Sequence, residues 1–468
     1  MISLILIFPI IACFVLFLVK NRDLNSLMIN IVAFIHFICS ICLCLNFNPF
    51  DVTQNLFGVD SLSKVFLMVL STVFLAVSIY NNGYMKEDKS LTRKLRHYSY
   101  AVLLFVFSMT GAILSTNLGV MWVFIEATTL ASAYLIYFHK TKHSIEAAWK
   151  YVFICSIGIA LAFVGIILLT IAQGNLNTLY IDELYKNAAN FDAFWLKLSF
   201  VFILFGIGTK MGLAPVHFWL PDAHAQSPSP ISALLSATLL NCAFLMILRV
   251  FRIMMLANCS YYARLMLFIV GFLSLFIAAV FIYHINNYKR MLAYSSIENM
   301  GILAIGAALG GVGLFASLIH LMGHSFIKAS FFMTSGNVLK LYDTKKIKSI
   351  TGLISKDKIT GWLWVACFLG ICAFPPSILF ISEFLIVKTM LKEGHFLMCG
   401  FFLLLLTIIL WGLGKVVFSM VSNDDKEHTK INLPISMYAP QIILLVVTFI
   451  FGIYFPFSTF FANIIKTF

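Results

Sequence analysis

The chain has 468 residues, of which 61% are hydrophobic and only 11% charged, with a mean hydropathy of +0.97. A water-soluble domain carries about twice that share of charge, so a fold with a solvated surface is excluded and lipid must cover most of the outside. The formal net charge of +13 does not mark a nucleic-acid surface, because Lys and Arg sit in short loops between apolar runs instead of on one continuous face.

A helix needs about 20 apolar residues to cross the ~30 Å hydrocarbon layer. That rule places spans near 2–19, 27–45, 62–80, 100–115, 118–138, 149–173 and 197–217. The second half adds 231–255, 263–284, 294–310, 313–338, 361–391, 396–421 and 434–456. The pattern predicts an all-α integral membrane protein of about fourteen helices. Met1 to Val19 lacks a basic leader and a small-residue cleavage site, and reads as a first span instead of a signal peptide. Every second loop is rich in cations: Lys20 and Arg22, then Lys86, Lys89, Arg93, Lys94 and Arg96, then Lys140 and Lys142, through to Lys426 and Lys430. The bias puts those loops in the cytoplasm and both termini on the opposite side.

Two spans are interrupted. The seventh runs into Lys210-Met-Gly-Leu-Ala-Pro215, and the twelfth carries Phe374-Pro375-Pro376-Ser377. Proline removes a backbone donor and clashes with the preceding turn, so both helices break. Broken helices five spans apart predict two inverted repeats, spans four to eight and nine to thirteen. The corresponding divisions are 1–99, 100–255, 256–421 and 422–468. Ten cysteines lie mostly within apolar spans, and the Cys39, Cys42, Cys44 group lacks the second cluster that a metal or iron–sulfur site needs. Neither cofactor nor metal is expected on this chain, and Gly206-Ile-Gly208 reads as helix packing.

Ionisable residues at mid-membrane cost roughly 2.5–3.5 kcal/mol each on insertion scales, which makes each one a functional candidate. Glu126 and Lys210 stand alone on their own spans, and pairing would offset the desolvation of both. They are expected to meet, as a proton gate or as a static ion pair. His217 and His224 follow the first break, either relaying protons or bonding freed carbonyls. His320, His324 and Lys328 recur every fourth residue and stack on one helix face, which suits a wetted relay; a chelated metal is the rival reading. Glu383 follows the second break. Glu298 falls near a predicted span start, where it is either a path residue or an interfacial cap.

These motifs resemble a known superfamily. Lys210 to Ser227 (KMGLAPVHFWLPDAHAQS), 289–301 (KRMLAYSSIENMG) and 320–332 (HLMGHSFIKASFF) are similar to the antiporter-like subunits of complex I, multi-subunit cation/proton antiporters and membrane-bound hydrogenases. The resemblance implies fourteen helices in two inverted five-helix repeats. It also implies that Glu126 and Lys210 are the acid and base of a first half-channel, Lys328 the central lysine with His320 and His324 beside it, and Glu383 the terminal acid. One departure is Asn241, at the place where the eighth helix usually carries a lysine; asparagine holds water but stores no proton. That departure, with PPSILFISEF (375–384), is most similar to the hydrogenase-4 component F family.

The resemblance implies a proton-translocating subunit in a bacterial or archaeal inner membrane. Its partners would be lipid, other membrane subunits and peripheral hydrogenase or dehydrogenase subunits, with protons or Na⁺ as cargo and no catalysis by the chain alone. A complex I pumping subunit, a cation/proton antiporter or inorganic-carbon uptake component, and a subunit that has lost pumping are the alternatives.

Overall fold

The computed structural model describes residues 1–18, 22–47, 56–85, 92–422 and 433–467. Lys20, Lys86, Lys89, Lys426 and Lys430 lie outside them. The described residues are helical apart from short turns and three isolated bridges.

Three helices precede the repeats: α1 (Ile2–Leu18), α2 (Arg22–Cys44) and α3 (Ser61–Tyr84). The first five-helix half contains α4 (Thr92–Leu114), α5 (Leu118–Ile136) and α6 (Lys142–Ala172). A short loop helix, α7 (Ile181–Asn187), leads to the broken seventh span, α8 (Ala193–Met211) and α9 (Trp219–Gln226). The eighth span joins α10 (Ser229–Leu234) to α11 (Leu240–Leu256) through a π-helical turn at Leu235–Leu239. The second half repeats the plan with α12 (Ser260–Ile282), α13 (Tyr288–Leu309) and α14 (Gly311–Tyr342). It continues through the loop turn α15 (Leu353–Lys356), the broken pair α16 (Lys358–Ile371) and α17 (Ile378–Lys392), and α18 (Phe396–Val421). The final helices are α19 (Ala439–Ile453) and α20 (Ser458–Thr467). Five spans per half is an odd number, so the second half enters the membrane from the opposite side and is inverted.

Among the described residues, twelve helices are long and apolar enough to cross a membrane; Ile2–Leu18 and Lys358–Ile371 are shorter apolar helices. Side-chain oxygens fix where several begin. Asp60 accepts from Ser63 N ahead of α3, Asn117 from Gly119 N and Val120 N ahead of α5, and Asp192 from Phe194 N and Trp195 N ahead of α8.

Both proline segments break their helices where the sequence predicts. In the first, Gly212 takes the left-handed conformation that ends α8 (φ 78°), and a Cβ there would strike Leu220. Backbone freed by the break finds side chains, with Trp219 Nε1 donating to Thr209 O (2.7 Å) and Ser274 Oγ accepting from Ala214 N (2.9 Å). That is how irregular backbone persists at membrane depth. The π turn was not expected, because Leu-Ser-Ala-Thr-Leu contains no breaker.

Other departures are also informative. Asn287 caps α13 at Lys289 N and Arg290 N, so this span begins six residues before the predicted start. Thr141 and Ser144 likewise box the start of α6 at Lys142 instead of residue 149. The small helices α7 and α20 carry too few apolar residues to register as spans. At the centre, α10 and α11 as far as Phe251 are enclosed on all sides, and α14 packs against α3, α10, α13, α16, α17 and α19.

Candidate functional site: a buried polar row

The interior of both halves holds polar side chains that a lipid-embedded core would otherwise exclude. In the first half, Lys210 lies in the last turn of α8 and is fully buried. Its Nζ donates to the Tyr151 hydroxyl of α6 at 2.8 Å and sits 4.7 Å from that ring's centroid. Tyr151 in turn shares a 2.6 Å hydrogen bond with Ser132 of α5.

Glu126 and Lys210 do not form the direct ion pair expected from the sequence. The Glu126 carboxylate is half-buried on the flank of α5 and accepts from Thr129 Oγ1 at 3.1 Å. The two charges act on each other through space, but each has taken a hydroxyl as its contact. The reason is local: the Tyr151 ring and hydroxyl together supply an acceptor and a cation-binding face beside Lys210.

Asn241 lies one residue after the start of α11, next to the π turn. Its Nδ2 donates to Ala237 O and to Ser325 Oγ of α14, both at 2.8 Å, which ties the first half to the second. Its Oδ1 has no partner among the described residues. Ser236 and Ser296 make a second link between the halves at 2.8 Å. Cys242, beside Asn241, is within electrostatic reach of Lys210.

In the second half, His320, His324 and Lys328 are fully buried on α14, on one face. His320 is held at both nitrogens, by Ser382 of α17 (2.9 Å) and Asn299 of α13 (3.0 Å). His324 has no hydrogen-bond partner at either nitrogen among the described residues. Lys328 Nζ donates to Leu292 O at 2.8 Å and acts electrostatically on His324, Glu298 and His224. His224, on α9, lies flat on Phe332 (4.7 Å between centroids, 16°), with both nitrogens unpartnered among the described residues. His217, in the first break, stacks on Phe218, and its Nδ1 has no partner among the described residues.

Glu298 is not an interfacial cap. The early start of α13 places it mid-helix and buried, where it acts electrostatically on both Lys328 and Glu383. Glu383, on α17, is half-buried and forms no hydrogen bond or ion pair with the described residues. No group of His, Cys, Asp and Glu side chains suited to a metal ion occurs among the described residues.

Several contributors escaped the sequence reading. Tyr151, Ser132, Asn299, Ser325 and Ser382 are neutral, and hydropathy gives no sign of them. Lys289 reads as a loop charge, yet it is fully buried with Nζ on Ser227 O (3.0 Å); nearby, Lys345 donates to Ala225 O (2.8 Å). Burial pushes the Lys345 ammonium below the ordinary lysine range. Outside the repeats, His36 is buried between Ser71 (2.8 Å) and Thr110 (2.9 Å).

A fold of two inverted broken-helix halves with charged and histidine side chains at their centres defines an antiporter-like membrane subunit. The chain belongs to the NADH:quinone oxidoreductase/Mrp antiporter transmembrane family, which it matches over residues 115–409. It is 33% identical to a hydrogenase-4 component F homolog from Methylacidiphilum infernorum over 97% of this chain and 96% of that one. Its fold is similar to that of a chain in the membrane-bound sulfane sulfur reductase, an archaeal respiratory membrane complex, with a TM-score of 0.89 at 20% identity. That match covers 99% of this chain and 97% of the other. A chain of the Mrp complex from Dietzia sp. DQ12-45-1b is similar at TM-score 0.86 and 17% identity, covering 100% and 97%.

Proposed function

We propose that this chain is the proton-translocating membrane subunit of a hydrogenase-4-like complex, with half-channels in residues 100–255 and 256–421. The observation that carries this reading is the row itself. In this reading it passes from Glu126 to Lys210 and Tyr151, to Asn241 and Ser325, to His324 and Lys328, and on to Glu298 and Glu383.

The row contains alternating features that proton transfer requires. Lys210, Lys328, Glu298 and Glu383 store or release a proton, and each changes the energy of its neighbour when it does. Unpartnered atoms on Asn241, His324, His224 and Glu298 are buried polar groups that call for water, and water between them supplies a transfer wire. Asn241 holds no proton, so passage between the halves runs through the Asn241–Ser325 contact and water. The half-buried Glu126 and Glu383 are suited to meet polar groups of neighbouring subunits, which would complete the row at each half.

The hydrogenase-4 assignment draws on the near full-length similarity to a component F homolog. Redox chemistry would belong to peripheral subunits and reach this chain as electrostatic and hydration changes, with no cofactor held here. Fourteen spans and both termini on the non-cytoplasmic side complete the proposal.

The test uses the assembled complex in inverted membrane vesicles. Lys210→Ala, Lys328→Ala and Glu126→Gln are each expected to reduce redox-driven proton uptake while the complex assembles normally. Unchanged uptake in all three removes the conduit reading. Sodium-dependent exchange without a redox donor would instead make the chain an antiporter subunit.

A further inference from the structure

A crevice of about 510 Å³ lies away from the polar row, between α2, α3, α14, α19 and α20. Its walls are apolar and aromatic. Helix α3 presents Lys64, Met68 and Thr72 along one face at intervals of four residues, α14 presents Met322 and Phe326, and α19 presents Phe451. The Thr72 hydroxyl donates to Met68 O at 2.8 Å, so among the described residues the crevice offers no free donor at depth. Among the described residues Lys64 is its single cation, near the first turn of α3. Its Nζ has one hydrogen-bond partner among the described residues, Asn46 Oδ1, which leaves two ammonium protons to give. The nearby carboxylate of Asp60 is directed to Arg249.

We infer that this crevice binds one phospholipid, its acyl chain along Met68, Thr72, Met322 and Phe326 and its phosphate on Lys64. Two observations carry the choice of occupant. From Lys64 to Thr72 is eight residues, about 12 Å at 1.5 Å per residue, close to the ~15 Å of one leaflet's hydrocarbon. A quinone ring would need a donor at depth, whereas the one polar group offered is a cation at the mouth, matched to a phosphate.

An apolar gap left unfilled would forfeit dispersion contacts along its walls, and an acyl chain restores them without dehydration cost. The site also has a mechanical consequence, because Met322 and Phe326 belong to the helix that carries His320, His324 and Lys328. The lipid would brace α14 from behind. This holds whether or not the polar row conducts protons.

The test is native mass spectrometry of the full-length purified protein after detergent exchange, with phosphorus analysis as an independent count. Wild type is expected to retain one phospholipid per chain. Met68→Trp, which fills the crevice, is expected to retain none, and Lys64→Glu at least tenfold less, with Lys64→Arg restoring retention. Elution profile and melting temperature confirm folding of each variant, and the Lys64 pair decides the matter should Met68→Trp not fold. A wild-type protein without phospholipid overturns the inference. So does a quinone or peptide in its place, or equal retention by Lys64→Glu and wild type.

Discussion

Tyr151→Phe isolates the contact that replaces the expected Glu126–Lys210 ion pair. The substitution keeps the ring 4.7 Å from the ammonium and removes only the hydroxyl that accepts from Lys210 at 2.8 Å. Ser132 is not orphaned by the change, because its hydroxyl also donates to Thr128 O at 2.6 Å. The loss therefore falls on Lys210, which has no other hydrogen-bond acceptor among the described residues. A hydrogen bond to a charged group is worth about 1.5–3 kcal/mol net. At ~1.4 kcal/mol per factor of ten, that is roughly a 10- to 100-fold loss in how often a protonated Lys210 is held in this position. Redox-driven proton uptake by inverted vesicles is expected to fall by at least tenfold, with assembly and peripheral redox activity retained. Uptake within twofold of wild type in a fully assembled complex refutes the idea that Tyr151 governs proton occupancy at Lys210.

Three further outcomes follow from the packing and from the surface of the membrane domain. Asn241→Leu removes the link to Ser325 and a water-holding oxygen, so proton uptake is expected to drop while α11 stays packed; uptake equal to wild type would move the crossing elsewhere. A Cβ on Gly452 would collide with the Pro376 carbonyl, so Gly452→Ala forces α19 away from the second break. Overpacking of this kind costs about 1–3 kcal/mol, read as a lower melting temperature in detergent. Burial raises the Asp60 carboxyl, but Arg249 and the Ser63 hydrogen bonds outweigh it and hold the group below the ordinary carboxylate range. Its contribution is thus present at neutral pH and is lost as pH falls through the depressed value. Asp60→Asn is expected to melt lower than wild type at neutral pH, with the gap closing in acid; a gap that persists there contradicts the assignment.

How much was legible in the sequence depended on the cost of each group in lipid. Glu126, Lys210, Lys328 and Glu383 announce themselves because a charge amid apolar residues has no cheap structural explanation. Tyr151, Ser132 and Ser325 give no such signal, since a hydroxyl in any membrane helix can bond its own preceding turn. Ser325 does so to Leu321 O at 2.7 Å while also serving Asn241. The broken helices were readable from Pro215 and Pro375-Pro376. The π turn had no proline or glycine to mark it and is visible only in the backbone. Glu298 was misplaced for a related reason. Lys289 and Arg290 look like loop residues, yet Lys289 lies inside α13, buried on a helix-end carbonyl, so the helix starts earlier and Glu298 falls in its middle. The distance between Glu126 and Lys210 had no sequence signature at all, because neighbours on other helices decide it.

The two lysines on Ala225 O and Ser227 O give α9 an unusual ownership. Its chain position assigns it to the first half, whereas Lys289 and Lys345, which grip its trailing end, belong to the second. The fragment is consequently a splice between the halves: Trp219 and Asp222 hold it to α8 and α6 of the first, while the two lysines hold it to the second. A shift of α13 therefore loads both grips on α9 at once, and the grip on Thr209 O lies one residue from Lys210.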